Sequence, residues 1–169
     1  MSMDAAATTL SPALAELAEF AGMQLRIAID RLSKMGFALT ALGTTVTAGW
    51  WNGTRYTTHV LQTDDPKLIE TISMNWLMAD HKKSKFVGIA MDGEIKVEGN
   101  KTEALILRAR TADNSIRLMA YQPYTRSTKD TPASLQRTIV DFPAEQAVTP
   151  EAREIVLGLL LKAALSKSG

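Results

Sequence analysis

Three arginine side chains are the groups in this sequence that are best placed to bind another molecule. Arg108 and Arg110 fall at alternate positions of one predicted strand, and Arg117 falls in the next predicted strand. A polar four-residue connection at 111–114 separates the two strands, which is typical of a β-hairpin closed by a type I turn. Because side chains alternate between the two faces of a strand, all three arginines share one face of this hairpin. They form a candidate anion-binding site.

The predicted register of this hairpin pairs Arg110 with Ser115 and puts Arg108 directly across from Arg117. Like charges in that position destabilise a sheet unless an anion or a carboxylate screens them. The simpler interpretation is that the guanidinium groups are solvated or paired with a glutamate, since surface charges cost little to leave in water. The alternative is that they bind an anionic ligand or, as a less favoured partner, a nucleic acid.

Residues that usually carry metal binding or catalysis are few in this chain. There is no cysteine, so disulfides, thiolate metal sites and cysteine nucleophiles are excluded. The two histidines, His59 and His81, do not occur in the spacing of a metal motif, and the glycines do not form a phosphate-binding loop. We therefore predict no metal and no cofactor. An enzyme with an unrecognised site that uses His59, Asp64 or Tyr124 is the lowest-ranked alternative.

Two adjacent tryptophans, Trp50 and Trp51, precede the turn signal Asn52-Gly53 in a further predicted hairpin. A two-residue turn at this signal would put Trp50 across from Arg55, where the two side chains could form a cation–π pair. Adjacent residues on a strand face opposite sides of the sheet, so one of the two rings is expected to be less buried. The pair is therefore a candidate aromatic surface for a partner, although aromatics at a sheet edge commonly serve packing alone.

The segment 86–124 predicts two successive hairpins around which the fold is organised. The first is signalled by Asp92-Gly93, because both central positions of a type I′ turn need positive φ, and it would pair 86–91 with 94–97. The second is the arginine hairpin. Its other face is apolar throughout and is expected to meet the core; the residues are Leu105, Leu107, Ala109, Ile116, Leu118 and Ala120.

The pattern DGEIKVEGNKTEAL, followed by YQPY, resembles a set of small bacterial α+β proteins of unknown function. Their elements run in the order helix, hairpin, helix and antiparallel strands. The resemblance covers Leu14 to about Tyr124 and is carried by turn and strand residues. It implies the fold, and it implies no activity, cofactor or catalytic residue.

Apolar periodicity predicts three helices, over about 12–36, 66–80 and 150–167, each opened by a capping residue followed by proline. The predicted fold class is α+β. An antiparallel sheet built from hairpins is packed by a long N-terminal helix, a middle helix and a C-terminal helix. We expect a flexible tail at 1–10 and a single domain at 11–169, with a long loop at about 125–148.

Both terminal helices carry a second apolar stripe beside the first one. Each leucine left exposed forgoes about 1.5–3 kcal/mol of burial, so such stripes favour contact with another chain. The preferred function is therefore a non-catalytic protein-interaction module, acting as a homo-oligomer, an adaptor or a chaperone-like binder. The candidate interface residues are Phe20, Met23, Ile27, Leu157, Leu161 and Leu165.

Composition and charge favour a soluble cytoplasmic protein. Nineteen basic and eighteen acidic residues give a net charge of +1, which lacks the basic excess typical of nucleic-acid-binding domains. No apolar run approaches the ~20 residues that span a bilayer, so we expect no membrane partner. The first residues have an acidic and no basic side chain before the first apolar run, unlike a secretory signal.

Overall fold

The computed structural model describes residues 10–49, 53–81, 83–125 and 134–165. Its helices are α1 (Pro12–Lys34), α2 (Ile69–Met78), which a 3-10 turn at Pro66–Leu68 precedes, and α3 (Pro150–Leu165). Except for Leu10, the predicted tail lies outside these residues. The strands are β1 (Thr40–Gly49), β2 (Gly53–Gln62), β3 (Phe86–Val97), β4 (Asn100–Thr111), β5 (Arg117–Thr125), β6 (Ser134–Leu135) and β7 (Ile139–Asp141).

The described strands form one antiparallel sheet in the order β2-β1-β3-β4-β5-β6, and β7 also pairs with β5. Helix α1 packs on one face of the sheet against β4, β3 and β5, and α3 packs on α1. Helix α2 packs on the opposite face against β3, β1 and β2. This arrangement confirms the predicted α+β class and the antiparallel sheet packed by three helices.

Helix α1 begins where the sequence predicts. The Ser11 hydroxyl accepts a hydrogen bond from the Leu14 backbone N–H at 3.2 Å, and Pro12 occupies the first helical position, where its missing N–H costs nothing. The helix buries one side in the core, with Leu17 and Leu25 almost wholly excluded from solvent. Gly22 lies where α1 meets α3, so close to the Leu160 carbonyl oxygen that a side chain there would clash.

The hairpin turn predicted at Asp92-Gly93 is wrong, because β3 continues through both residues to Val97. The turn lies at Glu98-Gly99, where φ is 51° and 84°, as a type I′ turn requires. Gly93 has a packing role instead. An added Cβ would lie 2.6 Å from the Cδ1 atom of Ile106, so the missing side chain leaves room for that isoleucine.

The arginine hairpin is present, but its predicted register is wrong by two residues: Arg110 pairs with Arg117, and Arg108 pairs with Met119. The cause is the turn. The Asp113 carboxylate accepts hydrogen bonds from the Thr111 hydroxyl at 2.8 Å and from the backbone and side chain of Ser115 at 3.0 and 2.7 Å. This network holds residues 112–115 in the turn, and beyond Arg110 the Thr111 N–H donates to the Ile116 carbonyl at 3.0 Å. A two-residue shift keeps every side chain on its predicted face.

The β1–β2 hairpin is also present with another register. Gly49 pairs with Gly53, so residues 50–52 connect the strands and Arg55 lies across from Thr47. The predicted two-residue turn and the pairing of Trp50 with Arg55 are therefore wrong. Trp50 and Trp51, proposed as an aromatic surface, lie outside the described residues.

The segment expected to be a loop at 125–148 contains two short strands. Strand β7 pairs with β5, with Val140 across from Ala120. Buried Gln122 donates to the Gln136 carbonyl at 2.6 Å and accepts from the Thr138 hydroxyl, which ties the connection to the sheet. Side-chain hydrogen bonds of this kind have no periodic signature, and sequence patterns therefore miss them.

Candidate anion-binding site

A cavity of about 280 Å³ lies between α2, the adjoining ends of β4 and β5, and the segment 143–145. The structure brings all three predicted arginines to it. One part of its lining is apolar and includes three methionines, whose flexible side chains adapt to ligand shape. The methionine, polar and charged residues of the lining are Met74, Met78, Arg108, Arg110, Asn114, Arg117, Met119 and Glu145.

Arg110 has a structural role at the rim of this cavity. It is 5% exposed, and its guanidinium donates to the carbonyl oxygens of Leu77 at 2.9 Å and Ala79 at 2.8 Å, at the C-terminus of α2. It also donates to the carbonyls of Thr111 and Ala112, both at 3.0 Å. A cation on the last carbonyls of a helix complements the helix dipole. Arg110 therefore joins α2 to the β4–β5 turn.

Burial lowers the pKa of the Arg110 guanidinium below its ordinary value, and the nearby Asp80 carboxylate opposes the shift. Arginine nevertheless stays protonated at physiological pH, because its ordinary pKa is so high. Its donors are used by backbone carbonyls, so Arg110 contributes positive charge to the cavity and little hydrogen bonding.

Arg108 and Arg117 differ from Arg110 because they keep hydrogen-bonding capacity. The Nη1 atom of Arg108 and the Nε atom of Arg117 are buried and have no hydrogen-bond partner within the part of the chain that the structure describes. The same holds for the Oδ1 atom of Asn114, which lines the same cavity. Arg108 lies diagonally across the ladder from Arg117, a relation that puts long side chains within reach of each other.

Each of these two arginines has one carboxylate nearby. Glu70 of α2 lies 3.8 Å from Arg108, and its side chain is 69% exposed. Glu145 forms an ion pair with Arg117, and its side chain is 64% exposed. Exposed pairs of this kind contribute little to stability, about 0–1 kcal/mol, and are easily exchanged for another anion.

Gln146 holds Glu145 in position through two backbone hydrogen bonds to Arg117. Its side-chain oxygen accepts from the Arg117 N–H at 2.7 Å, and its side-chain nitrogen donates to the Arg117 carbonyl at 2.9 Å. The Gln146 N–H closes a turn by donating to the Pro143 carbonyl at 2.9 Å. The Gln146 side chain therefore hydrogen-bonds to β5 as a neighbouring strand would. These bonds hold the segment 143–145, which forms one wall of the cavity, in place.

Sequence reasoning identified the arginines but missed Asn114, Glu70 and Glu145. Asn114 has a positive φ of 61°, which its position in a polar turn could have indicated. Glu145 is 28 residues from Arg117 along the chain. No local pattern connects the two residues.

The predicted interface residues of α1 occupy different environments. Phe20 is 1% exposed, and its ring centroid lies 5.6 Å from that of Phe86 and 6.4 Å from that of Tyr56. It belongs to the core, so its assignment to a surface stripe is wrong. Met23 and Ile27 are half-buried and line a shallow groove on the outer side of α1.

The predicted interface residues of α3 are also divided. Leu157 and Leu161 are partly buried and pack against the core, because α3 lies on α1. Leu165 is 76% exposed, and Ile155, which the prediction did not include, is 46% exposed. Much of the second stripe is therefore covered within the chain, and self-association through it stays a prediction.

The three residues considered for an enzyme site do not converge. His59 on β2 lies on the α2 face, with its ring centroid 5.4 Å from that of Trp76. Tyr124 on β5 is 2% exposed and donates to the Asp92 carboxylate at 2.6 Å. Asp64 is exposed after β2. Since β2 and β5 are separated by three strands, these groups cannot act on one substrate atom.

Histidine, cysteine, aspartate and glutamate side chains do not cluster in groups of three or more that could hold a metal ion anywhere in the described ranges. His81 has a structural contact, with its Nε2 atom 2.6 Å from the Trp76 carbonyl oxygen at the end of α2.

Within the same ranges, none of the helices has both the length and the apolar composition needed to cross a bilayer.

Comparisons with protein-family models, with curated protein sequences and with solved structures find no match to this chain. The resemblance to small bacterial α+β proteins stays a prediction. A function for this chain is therefore inferred from the geometry of the site itself.

Proposed function

We propose that this protein binds a small anion that carries an apolar portion, in the cavity lined by Arg108 and Arg117. The observation that supports the proposal is that Arg108 and Arg117, on adjacent strands, line one cavity and each has a buried guanidinium nitrogen without a hydrogen-bond partner among the described residues. Buried polar groups are almost always hydrogen-bonded, and an unsatisfied one costs about 1–3 kcal/mol. A ligand that accepts from both nitrogens removes that cost.

A negative charge is the best match for these donors. Hydrogen bonds from a guanidinium to a carboxylate or phosphate are roughly twice as strong as neutral ones. The attraction is larger at a partly buried site than in water, because the local dielectric constant is lower. Arg110 adds a third positive charge at the rim, and its own hydrogen bonds hold that charge in place.

The size and the lining of the cavity restrict the rest of the ligand. A volume of about 280 Å³ lies at the lower end of ligand sites, which typically enclose ~300–1,000 Å³. Met74, Met78 and Met119 supply an apolar wall. These features favour a compact amphipathic carboxylate or phosphate monoester over a nucleic acid, for which the net charge of +1 also gives little support.

The test is a binding titration of the purified protein with octanoate and octyl phosphate, with octanol as the uncharged control. Chemical shifts of the Arg108 and Arg117 side chains report whether the ligand occupies this cavity. We expect saturable binding of at least one anion and at least tenfold weaker binding of octanol, since each charge-assisted hydrogen bond contributes about 1.5–3 kcal/mol.

Substitution localises the effect. The double variant R108M/R117M removes both donors and keeps much of the side-chain volume, so we expect anion binding to be lost while the fold is kept. The matched control is R137M, which removes an exposed arginine away from the cavity. Equal binding of octanol and octanoate, or unchanged binding in the double variant, contradicts the proposal.

A second candidate function is contact with another protein through the terminal helices. The observation that favours it is the exposure of Ile155 and Leu165 on α3, at 46% and 76%. The variant I155E should then weaken any assembly of the full chain in light scattering. An assembly that the variant leaves unchanged does not use this surface.

A further inference from the structure

Strand β2 forms one edge of the sheet and differs from the strands at the other edge. It is ten residues long and pairs with β1 in an unbroken ladder from Gln62 to Gly53. Among the residues that the structure describes, its other side has no strand partner. Long, regular edges of this kind are ready templates for pairing with another strand.

The ladder shows which backbone groups of β2 point outward. The Thr63 N–H donates to the Leu39 carbonyl at 3.2 Å, in line with the register in which Thr40 pairs with Gln62. Hydrogen-bonded and non-hydrogen-bonded pairs alternate in antiparallel strands, so the odd-numbered residues of β2 bond to β1. The N–H and C=O groups of Tyr56, Thr58, Val60 and Gln62 therefore point away from the sheet.

The side chains along this edge contain few of the features that block pairing. Residues 55–60 are all exposed, and Arg55, close to the hairpin turn, is the one residue of β2 with a fixed charge. Natural edges are usually protected by lysine, proline, bulges or shortness. The opposite edge follows this rule, since β6 and β7 have two and three residues.

We infer that β2 pairs with β2 of a second copy of this chain, antiparallel and in register about Thr58. A two-fold axis through Thr58 makes the outward-pointing groups of both strands meet, as an isologous interface requires. Tyr56 then lies across from the partner's Val60, and Val60 lies across from the partner's Tyr56. Aromatic and β-branched residues form favourable cross-strand pairs.

The exposure of Tyr56 and Val60 supports a second copy of the chain as the partner of β2. Tyr56 and Val60 are 40% and 49% exposed, the largest apolar exposures on the edge strand, and both lie on the α1 face. The Tyr56 ring is already held against Phe20, with the ring centroids 6.4 Å apart. Its orientation is therefore fixed before the second copy binds, which lowers the entropic cost of association.

Neighbouring registers make poorer pairs. An axis through Thr57 puts Arg55 across from the partner's His59 and Tyr56 across from the partner's Thr58, so Tyr56 no longer meets an apolar side chain. An axis through His59 makes the two histidines face each other and puts Tyr56 across from Gln62 of the partner subunit. The Thr58 axis avoids both conflicts, because it puts Tyr56 across from the partner's Val60.

Charge substitutions on the two-fold axis test the interface and its register together. In T58K the two introduced lysines face each other, and in T58E the two glutamates do. We expect each variant alone to raise the dimer dissociation constant about fivefold or more in sedimentation over a concentration series, the effect of like charges directly opposite each other. A mixture of T58K and T58E should dimerise at least as tightly as the parent.

The matched control is T71K, the same change at an exposed position on α2. It should leave the dimer unchanged. A parent chain that stays monomeric throughout the series, or a dimer that T58K and T58E do not weaken, overturns the inference. Dimerisation of the mixture no better than that of either variant alone overturns the register.

Cross-linking gives a second, independent readout that does not depend on weakening the dimer. The chain has no cysteine, so T58C introduces a single thiol. Facing residues of a hydrogen-bonded pair have Cα atoms about 5.5 Å apart, which is compatible with a disulfide. T58C should oxidise rapidly to a covalent dimer and T71C should not. Equal rates of oxidation for the two variants contradict the pairing.

Discussion

The two faces of the sheet are covered to different extents, and this difference separates the closed core from the candidate binding site. On the α1 face the core is closed, and Leu17 and Leu105 have no exposed surface. On the α2 face the cover ends part of the way across the sheet. Beyond it lies the cavity, where the Arg108 side chain is 26% exposed.

Helix length explains the difference. Helix α1 has 23 residues and extends about 35 Å, whereas α2 has ten residues and extends about 15 Å. A path of six strands at about 4.8 Å spacing is about 24 Å wide. The short helix cannot cover that width, so β4 and β5 keep polar side chains on the α2 face. The candidate anion-binding site lies where the apolar cover ends.

The first and largest test of the comparison removes equivalent apolar bulk from each face. Leu107→Ala empties part of the closed core and should lower the free energy of unfolding by about 2–5 kcal/mol. Met78→Ala at the cavity, where the residue is 52% exposed, should change it by less than about 0.5 kcal/mol. Urea denaturation measures both values. Similar losses in the two variants would mean that the faces are equally packed.

The second test separates the structural arginine, Arg110, from Arg108 and Arg117, the arginines proposed to bind an anion. Arg110→Met leaves the carbonyls of Leu77 and Ala79 without their donor, and we expect a loss of about 3 kcal/mol. Arg108→Met removes a weak exposed pair and should cost less than about 1 kcal/mol. Thermal denaturation of the two variants measures the difference. Equal destabilisation contradicts the division of roles.

The third test replaces two glycines of the packed helices with alanine. The two substitutions should change the free energy of unfolding in opposite directions. A Cβ on Gly22 would lie 2.6 Å from that of Ala163, so Gly22→Ala should destabilise the fold by about 1–3 kcal/mol through overpacking. A Cβ on Gly158 meets nothing within 4 Å, so Gly158→Ala should stabilise it by about 0.5–1 kcal/mol through helix propensity. Denaturant midpoints give the sign of each change.

The smallest expected effect is the pH dependence of the turn between β4 and β5. Hydrogen bonds from the side chain and backbone of Ser115, and then from Thr111, lower the pKa of the Asp113 carboxyl from 3.8 to about 2. Because the pKa of the Asp113 carboxyl is lower in the folded than in the unfolded state, the ionised carboxylate contributes its full stabilisation at any pH above the unfolded pKa. It is lost as the pH falls from about 4 to about 2.

The variant D113N keeps an oxygen acceptor and removes this titration. We therefore expect the parent to lose more stability than D113N over that interval, and carbon-detected NMR of the carboxyl group gives the pKa directly. An Asp113 carboxyl that titrates near pH 4 in the folded protein contradicts the described turn network.

Local sequence patterns predicted the fold class and most of the elements. The Ser11 cap and Pro12 locate the start of α1, and strict alternation separates the apolar and arginine faces of the β4–β5 hairpin. These predictions succeed because they depend on interactions between near neighbours in the chain. The turn at Asp92-Gly93 failed because a glycine required by Ile106 of the next strand resembles a turn glycine.

By itself, the sequence determined that three arginines share one face of a hairpin, because the period of a strand does not depend on its surroundings. Only the tertiary structure decided their separate roles. Arg110 is structural because the end of α2 presents carbonyls to it, and Arg108 and Arg117 keep unpartnered donors because α2 packs over β3, β1 and β2 and not over their own strands. Such contacts join residues that are distant along the chain, so no local pattern encodes them.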